Sequence, residues 1–322
     1  MQIALAPDEV ALIDARVVGT VEALAPVLMD KSYLKIFHDC REDSAALYHQ
    51  FGKIRMRGVF DTQATKLLLQ RKHGTNPLHQ QSYMDLVREN GLVEEAFNDT
   101  ILKEKMSSDP ELWHRRPLTK ELVDYAVLGV KFLVPLYERM VPKLGSMDSD
   151  RISEACDAWV DYCDMNPTIT KPTEVEKIGY PIMGMVAAIN DRGVYFKLNI
   201  GRTGVCSTPS ALKRMLQGSR NFVPVQVGDT VELSVSGISI DGRTIYVDRR
   251  DPDWEYFDFF RRPSPSKKES TQEYLHVPSV VENEGEIDPL LRRGLSSDGG
   301  FESDEEDEVD HDPILTKKPT KK

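Results

Sequence analysis

The residues best suited to do chemistry crowd into one short stretch, Lys35 to Gly52, which reads KIFHDCREDSAALYHQFG. Ile36 and Phe37 are strand-like, and His38, Asp39, Glu42 and Asp43 fill a polar turn. An amphipathic helix follows, with Ala46, Leu47 and Phe51 as its inward stripe. Acids and a histidine at a strand-to-helix junction can bind a metal ion or move protons, because strand ends hold side chains rigidly over a crevice. The same residues can also do no more than cap a helix and face solvent. His38, His49, His73 and His79 show no paired metal spacing, so surface or capping roles are expected of them.

Composition narrows the setting. At 322 residues the chain has room for two domains and a tail, and a hydrophobic fraction of 40% suits an ordinary core. No apolar run approaches the ~18 residues that span a membrane, so no membrane partner is expected. The start of the chain does not read as a secretory signal. Cys40, Cys156, Cys163 and Cys206 are scattered without a CxxC pair. That spacing argues against structural zinc and for a reduced, cytoplasmic chain, with a nuclear site as the alternative. The net charge of -11 is unevenly placed. Ser264 to Lys322 carries 15 acidic against 8 basic residues, whereas Gly179 to Arg250 carries 9 basic against 5 acidic. One modestly basic module therefore lies ahead of an acidic tail.

The elements that must position these residues follow from periodicity. MQIALA and EVALIDAR read as a strand pair joined over Pro7 and Asp8. A helix from Val21 to Met29, the strand at Ile36, the helix of the opening stretch and a further strand lead into VFDTQATKLLLQ, with Leu67 and Leu68 inward. HRRPLTKELVDYAVLGVKFLVPLYERM predicts one long helix with Thr119 as its N-cap. Another helix covers Arg151 to Cys163, and MNPTITKPTEVEK reads as a linker. From Tyr180 the period becomes two, with turns at Asp-Arg-Gly, Gly-Asp and Asp-Gly, which predicts a small barrel or sandwich. The expected divisions are 1–145, a helix and linker over 146–176, the barrel over 177–263, and a disordered acidic tail over 264–322.

The ordered motifs LIDARV, LKIFHDCREDSAALYHQFG, VFDTQATKLLL, YMDLVRE and the long helix resemble the DEDD-type 3′–5′ exonuclease domain of ribonuclease D. They resemble most the exonuclease-domain proteins related to Egalitarian and to the piRNA pathway. The resemblance covers roughly Met1 to Met140 and implies an α/β, RNase H-like fold: a mixed sheet flanked by helices. It also implies two Mg²⁺ ions held among carboxylates. Carried over residue by residue, Asp43 matches one family carboxylate and Tyr125 matches the tyrosine that orients the water. Gly129 stands where another carboxylate is expected, one turn beyond Tyr125. The family's DxE strand precedes the QIA strand and is not found, so either this chain lacks that strand or its sheet is rearranged. Asp61 is expected to cap the helix that follows it. With Asp43 as the remaining metal ligand, no cofactor is expected, and Mg²⁺ only if nuclease activity persists.

GMVAAINDRGVYFKLNIGRTGVCSTPSALKRM, followed by VGDTVELSVSGISIDGRTIYVDRRD, resembles the OB-fold RNA-binding repeat of the ribosomal protein S-one type. Alternation puts Val194, Phe196 and Leu198 on one face of a strand, and Tyr195 and Lys197 on the other. The resemblance makes Tyr195 a stacking aromatic and Arg250 a basic contact. Lys197 and Arg202 complete the expected nucleic-acid set. The family's second aromatic is replaced by Ser207. IGRTG also fits the GxxG loop of a KH domain, an alternative that points to nucleic acid as well.

These readings converge on an RNA-binding adaptor with a degenerate exonuclease domain and single-stranded RNA as its partner. The alternatives are an active metal-dependent 3′–5′ exoribonuclease, and a protein-interaction scaffold whose acidic tail recruits partners after phosphorylation at Ser303.

Overall fold

Apolar and small residues alternate at the start of the chain, and there β1 (Gln2–Ala6) pairs antiparallel with β2 (Glu9–Leu12). The structure, a computed structural model, describes residues 1–6, 9–93, 100–169, 172–217 and 223–250. The acidic tail, with Ser303, lies outside the described residues. A 3₁₀ turn leads into α1 (Ala25–Met29). The opening stretch forms β3 (Lys35–Phe37) and α2 (Arg41–Gln50), after which β4 (Val59–Asp61) pairs parallel with β3. Four further helices follow: α3 (Thr62–Lys72), α4 (Tyr83–Glu89), α5 (Thr100–Ser108) and α6 (Lys120–Lys131). Then come α7 (Leu133–Leu144) and α8 (Ser149–Val160).

Two expectations change here. The expected single mixed sheet is present as two separate pairs, β1–β2 and β3–β4, among the described residues. Both pairs pack against α7, and β1 also packs against α6, so helices rather than a shared ladder hold them together. The one long helix is broken at Phe132 into α6 and α7. Pro135 is the cause: it has no N–H for the Lys131 carbonyl, and its ring crowds that carbonyl. At the break, the Phe132 N–H donates to the Tyr83 hydroxyl at 3.0 Å and to the Val130 carbonyl. Thr119 caps α6 as expected, accepting from the Leu122 N–H.

The C-terminal strands close into a five-stranded barrel. They are β5 (Pro181–Asn190), β6 (Gly193–Lys197), β7 (Thr203–Cys206), β8 (Thr230–Ile238) and β9 (Thr244–Arg249), with α9 (Pro209–Gln217) between β7 and β8. Their order round the barrel is β5-β6-β7-β9-β8, and β7 runs parallel to β9. Closure removes the open edges that an isolated sheet would present. Val194, Phe196 and Leu198 point inward as alternation requires. Gly193 is needed for closure, since a Cβ there would lie 2.6 Å from the Cys206 carbonyl oxygen. The IGRTG motif forms the turn between β6 and β7 rather than a link between two helices, so the KH alternative does not fit.

The barrel and the preceding helices share one core, in which Leu28, Leu47, Leu67 and Trp159 join Met185, Phe196 and Leu233. Asn166, within the stretch read as a linker, is 4% exposed. Its side-chain amide donates to the Met183 and Leu198 carbonyls, and its oxygen accepts from the Met183 N–H. His79 lies along β5 in an isolated bridge with Ala188, where the Ile189 N–H donates to the Leu78 carbonyl.

Candidate functional site

At the strand-to-helix turn, His38, Asp39, Arg41 and Glu42 each bond to other parts of the fold. His38 Nδ1 lies 3.0 Å from the Thr62 hydroxyl, and its Nε2 lies 3.2 Å from the Gln81 carbonyl. It ties β3 to the start of α3 and to the loop before α4. Asp39 takes a left-handed backbone conformation, with φ of 58°. This turns its carboxylate back onto Arg41, two residues on, whose Nε and Nη2 donate at 2.6 and 2.7 Å. Arg41 is fully buried; it also donates to Gln80 Oε1 at 2.6 Å and stacks 4.2 Å over the Trp159 ring. Burial works against charge on Asp39, but Arg41 and Lys197 outweigh it and hold the carboxyl well below the usual carboxylate range.

Asp61 caps α3 as expected. One carboxylate oxygen accepts from the Gln63 and Ala64 N–H groups at 2.9 Å each, and the other from the Cys40 N–H at 2.7 Å. It thereby joins the end of β4 to the beginnings of both α2 and α3.

Asp43 lies in the first turn of α2, where the helix dipole favours an acid. Its side chain reaches solvent, yet the protein packed around it still disfavours the charged form. Asp39, Asp61 and Glu42 add like-charge repulsion, and the carboxyl is raised to about 6. Glu42 accepts from the Tyr162 hydroxyl at 3.3 Å and lies 3.6 Å from Lys197 Nζ.

On α6, Tyr125 is half-buried beside Trp113, with ring centroids 6.3 Å apart. Gly129 follows one turn later, with nothing within 4 Å of the position its Cβ would take. Two Mg²⁺ ions need several free carboxylates. Here Asp39 and Asp61 are committed to a guanidinium and to backbone amides, and Gly129 offers nothing. Among the described residues, no group of three or more His, Cys, Asp or Glu could hold a metal ion. The residues present do not fit a two-metal centre.

The residues expected from sequence to contact nucleic acid are distributed over the barrel. Tyr195 faces outward from β6, opposite Val205 of β7. Lys197 points the same way but is paired with Asp39 at 3.4 Å and Glu42 at 3.6 Å. Arg202, in the β6–β7 turn, is paired with Glu176 at 3.2 Å. Arg250 follows β9 and donates its N–H to the Glu232 carbonyl. The structure thus brings Lys197 to the acids of the opening stretch and keeps Arg202 and Arg250 at other places on the barrel. Sequence reasoning missed Arg41, which sits among acids and reads as surface charge. Tyr246 also faces outward from β9, a position legible in the alternation of TIYVDR.

Residues 1–145 match the family described as 3′–5′ exonuclease. Ribonuclease D of Nitrobacter hamburgensis is 28% identical over 155 residues, covering 48% of this chain and 35% of the relative. The piRNA biogenesis protein EXD1 of Xenopus laevis is 32% identical over 148 residues, covering 42% of this chain and 32% of that protein. The solved structure of Trypanosoma brucei RNase D superposes with a TM-score of 0.37 and 22% identity, covering 45% of this chain and 48% of that one. The chain spans about a third of the length of the curated relatives it matches. No helix among the described residues is long and apolar enough to cross a membrane. Over residues 1–145, the chain is similar to the 3′–5′ exonuclease family.

Proposed function

We propose that the protein is an RNA-binding adaptor in which a degenerate 3′–5′ exonuclease domain is joined to an OB-type barrel. One observation carries this reading: the acids nearest Asp43 are employed in holding the fold. Asp39 and Asp61 bond to Arg41 and to three backbone N–H groups, which leaves Asp43 without the carboxylate partners that paired metal ions require. Single-stranded RNA is the ligand, with Tyr195 as a stacking surface on the barrel. The five-strand order, the parallel β7–β9 pair and the helix between β7 and β8 support the OB assignment. Support for RNA as ligand comes from the ribonuclease D relatives of the N-terminal domain.

The second reading, a metal-dependent 3′–5′ exoribonuclease, is favoured by the crowding of acids that raises Asp43. Incubating the protein with a 5′-labelled single-stranded RNA and Mg²⁺ or Mn²⁺ separates the two. The adaptor leaves the RNA intact. A metal-dependent ladder that vanishes in Asp43→Ala would establish the exonuclease instead.

A further inference from the structure

We propose that Tyr246 is a base-stacking residue of the barrel, forming with Tyr195 a platform that runs across β6, β7 and β9. This rests on the reading of the barrel as RNA-binding and specifies where on it the strand lies. Two of the three basic residues expected from sequence to contact phosphate are neutralised in the folded chain. Lys197 faces two carboxylates and Arg202 a third. An RNA strand laid along the Lys197 end of β6 would meet Asp39 and Glu42, whose charge repels phosphate. Ser207 replaces the other expected aromatic.

The register supplies a different surface. Tyr195 is the Cα partner of Val205, and Val205 is the partner of Tyr246. The three side chains therefore form one row on the outer wall, while Phe196, Cys206 and Ile245 point into the barrel. Two inter-strand steps separate the tyrosines by about 10 Å, enough for two or three nucleotides. Tyr246 is 41% exposed. Its ring leans on Gly237, its partner on β8, which brings no side chain to crowd it. Arg243, three residues before Tyr246 in the β8–β9 turn, has a side chain 70% exposed, and its Nε lies 3.9 Å from Asp241 Oδ2. An ion pair so open to water is weak, and the guanidinium can take a phosphate instead. The strand thus crosses the barrel over two aromatic faces, with about one phosphate contact.

The test uses the full chain and a fluorescent single-stranded oligouridine or oligoadenosine, read by anisotropy. Tyr246→Ala is expected to weaken binding by roughly 5- to 150-fold, the equivalent of one lost base stack. Tyr246→Phe keeps the π face and should bind like the parent. Tyr246→Leu keeps bulk over Gly237 without the π face, so a cooperative melt with lost binding separates stacking from folding. If Tyr246→Leu binds like the parent while Tyr195→Ala does not, the platform does not include Tyr246 and the proposal is overturned. If the parent protein shows no RNA binding at any salt concentration, the reading of the barrel as RNA-binding falls, and this proposal with it.

Discussion

Lys197 of β6 and Asp39 of the turn before α2 lie 158 positions apart in sequence and 3.4 Å apart in space. A cation expected to meet RNA is thereby spent on the carboxylates of the opening stretch. Lys197→Ala should leave the slope of log affinity against log salt unchanged. A lysine that contacts phosphate on a single strand contributes about 0.7 to that slope, so titrations at several salt concentrations distinguish the two cases.

Asp43 makes stability depend on pH. Its folded-state carboxyl is raised to about 6 from 3.8, so the folded state binds the proton more tightly than the unfolded chain does. Folding is therefore favoured as pH falls through about 6, and charging Asp43 above that value weakens it. Asp43→Asn should raise the melting temperature at pH 7.5, and the gain should shrink as pH falls to 5. Carboxyl-detected NMR should find one aspartate titrating near 6.

Gly129 costs α6 helical stability without a packing reason, because the space around it is open. Gly129→Ala should stabilise the protein by roughly 1 kcal/mol in urea unfolding. Gly129→Asp fits the same space, yet it should not produce a metal-dependent nuclease, because Asp39 and Asp61 remain committed. Degradation of labelled RNA by that variant would contradict this.

Arg41 is buried among Asp39, Gln80, Met185 and Trp159. Arg41→Met keeps much of the volume but leaves the Asp39 carboxylate only Lys197 as a charged partner, and should cost about 3 kcal/mol, the low end for a broken buried pair. Arg41→Lys should not restore the loss, since an ammonium can neither make the two-nitrogen contact with Asp39 nor stack flat on Trp159. Urea midpoints of the two variants should both fall well below that of the parent.

Local signals carried much of the fold. The alternation in GVYFKL placed Phe196 inward and Tyr195 outward, and the polar residues Asp61 and Thr119 marked helix starts that the structure confirms. Pro135 marked the break after Lys131, but the apolar period running through it hid the interruption. What could not be read locally depends on contacts between distant segments. No pattern near Lys197 reveals that it meets Asp39. The meaning of Tyr246 emerges only once the parallel pairing of β7 with β9 sets it in line with Tyr195. The opening stretch was read for its acids, yet its structural centre is Arg41, a residue type seldom buried unless paired.

The joint core of barrel and helices has a consequence for biosynthesis. Arg41 finds Met185 only 144 positions later in the chain. At about 5–20 residues per second, the ribosome needs roughly 7–30 s to deliver that partner. Through most of that interval the nascent helices keep Leu47 and Leu67 without their barrel neighbours, and Trp159 joins them near its end. The apolar face of the nascent N-terminal region is therefore covered in full only after β9 has emerged and closed the barrel.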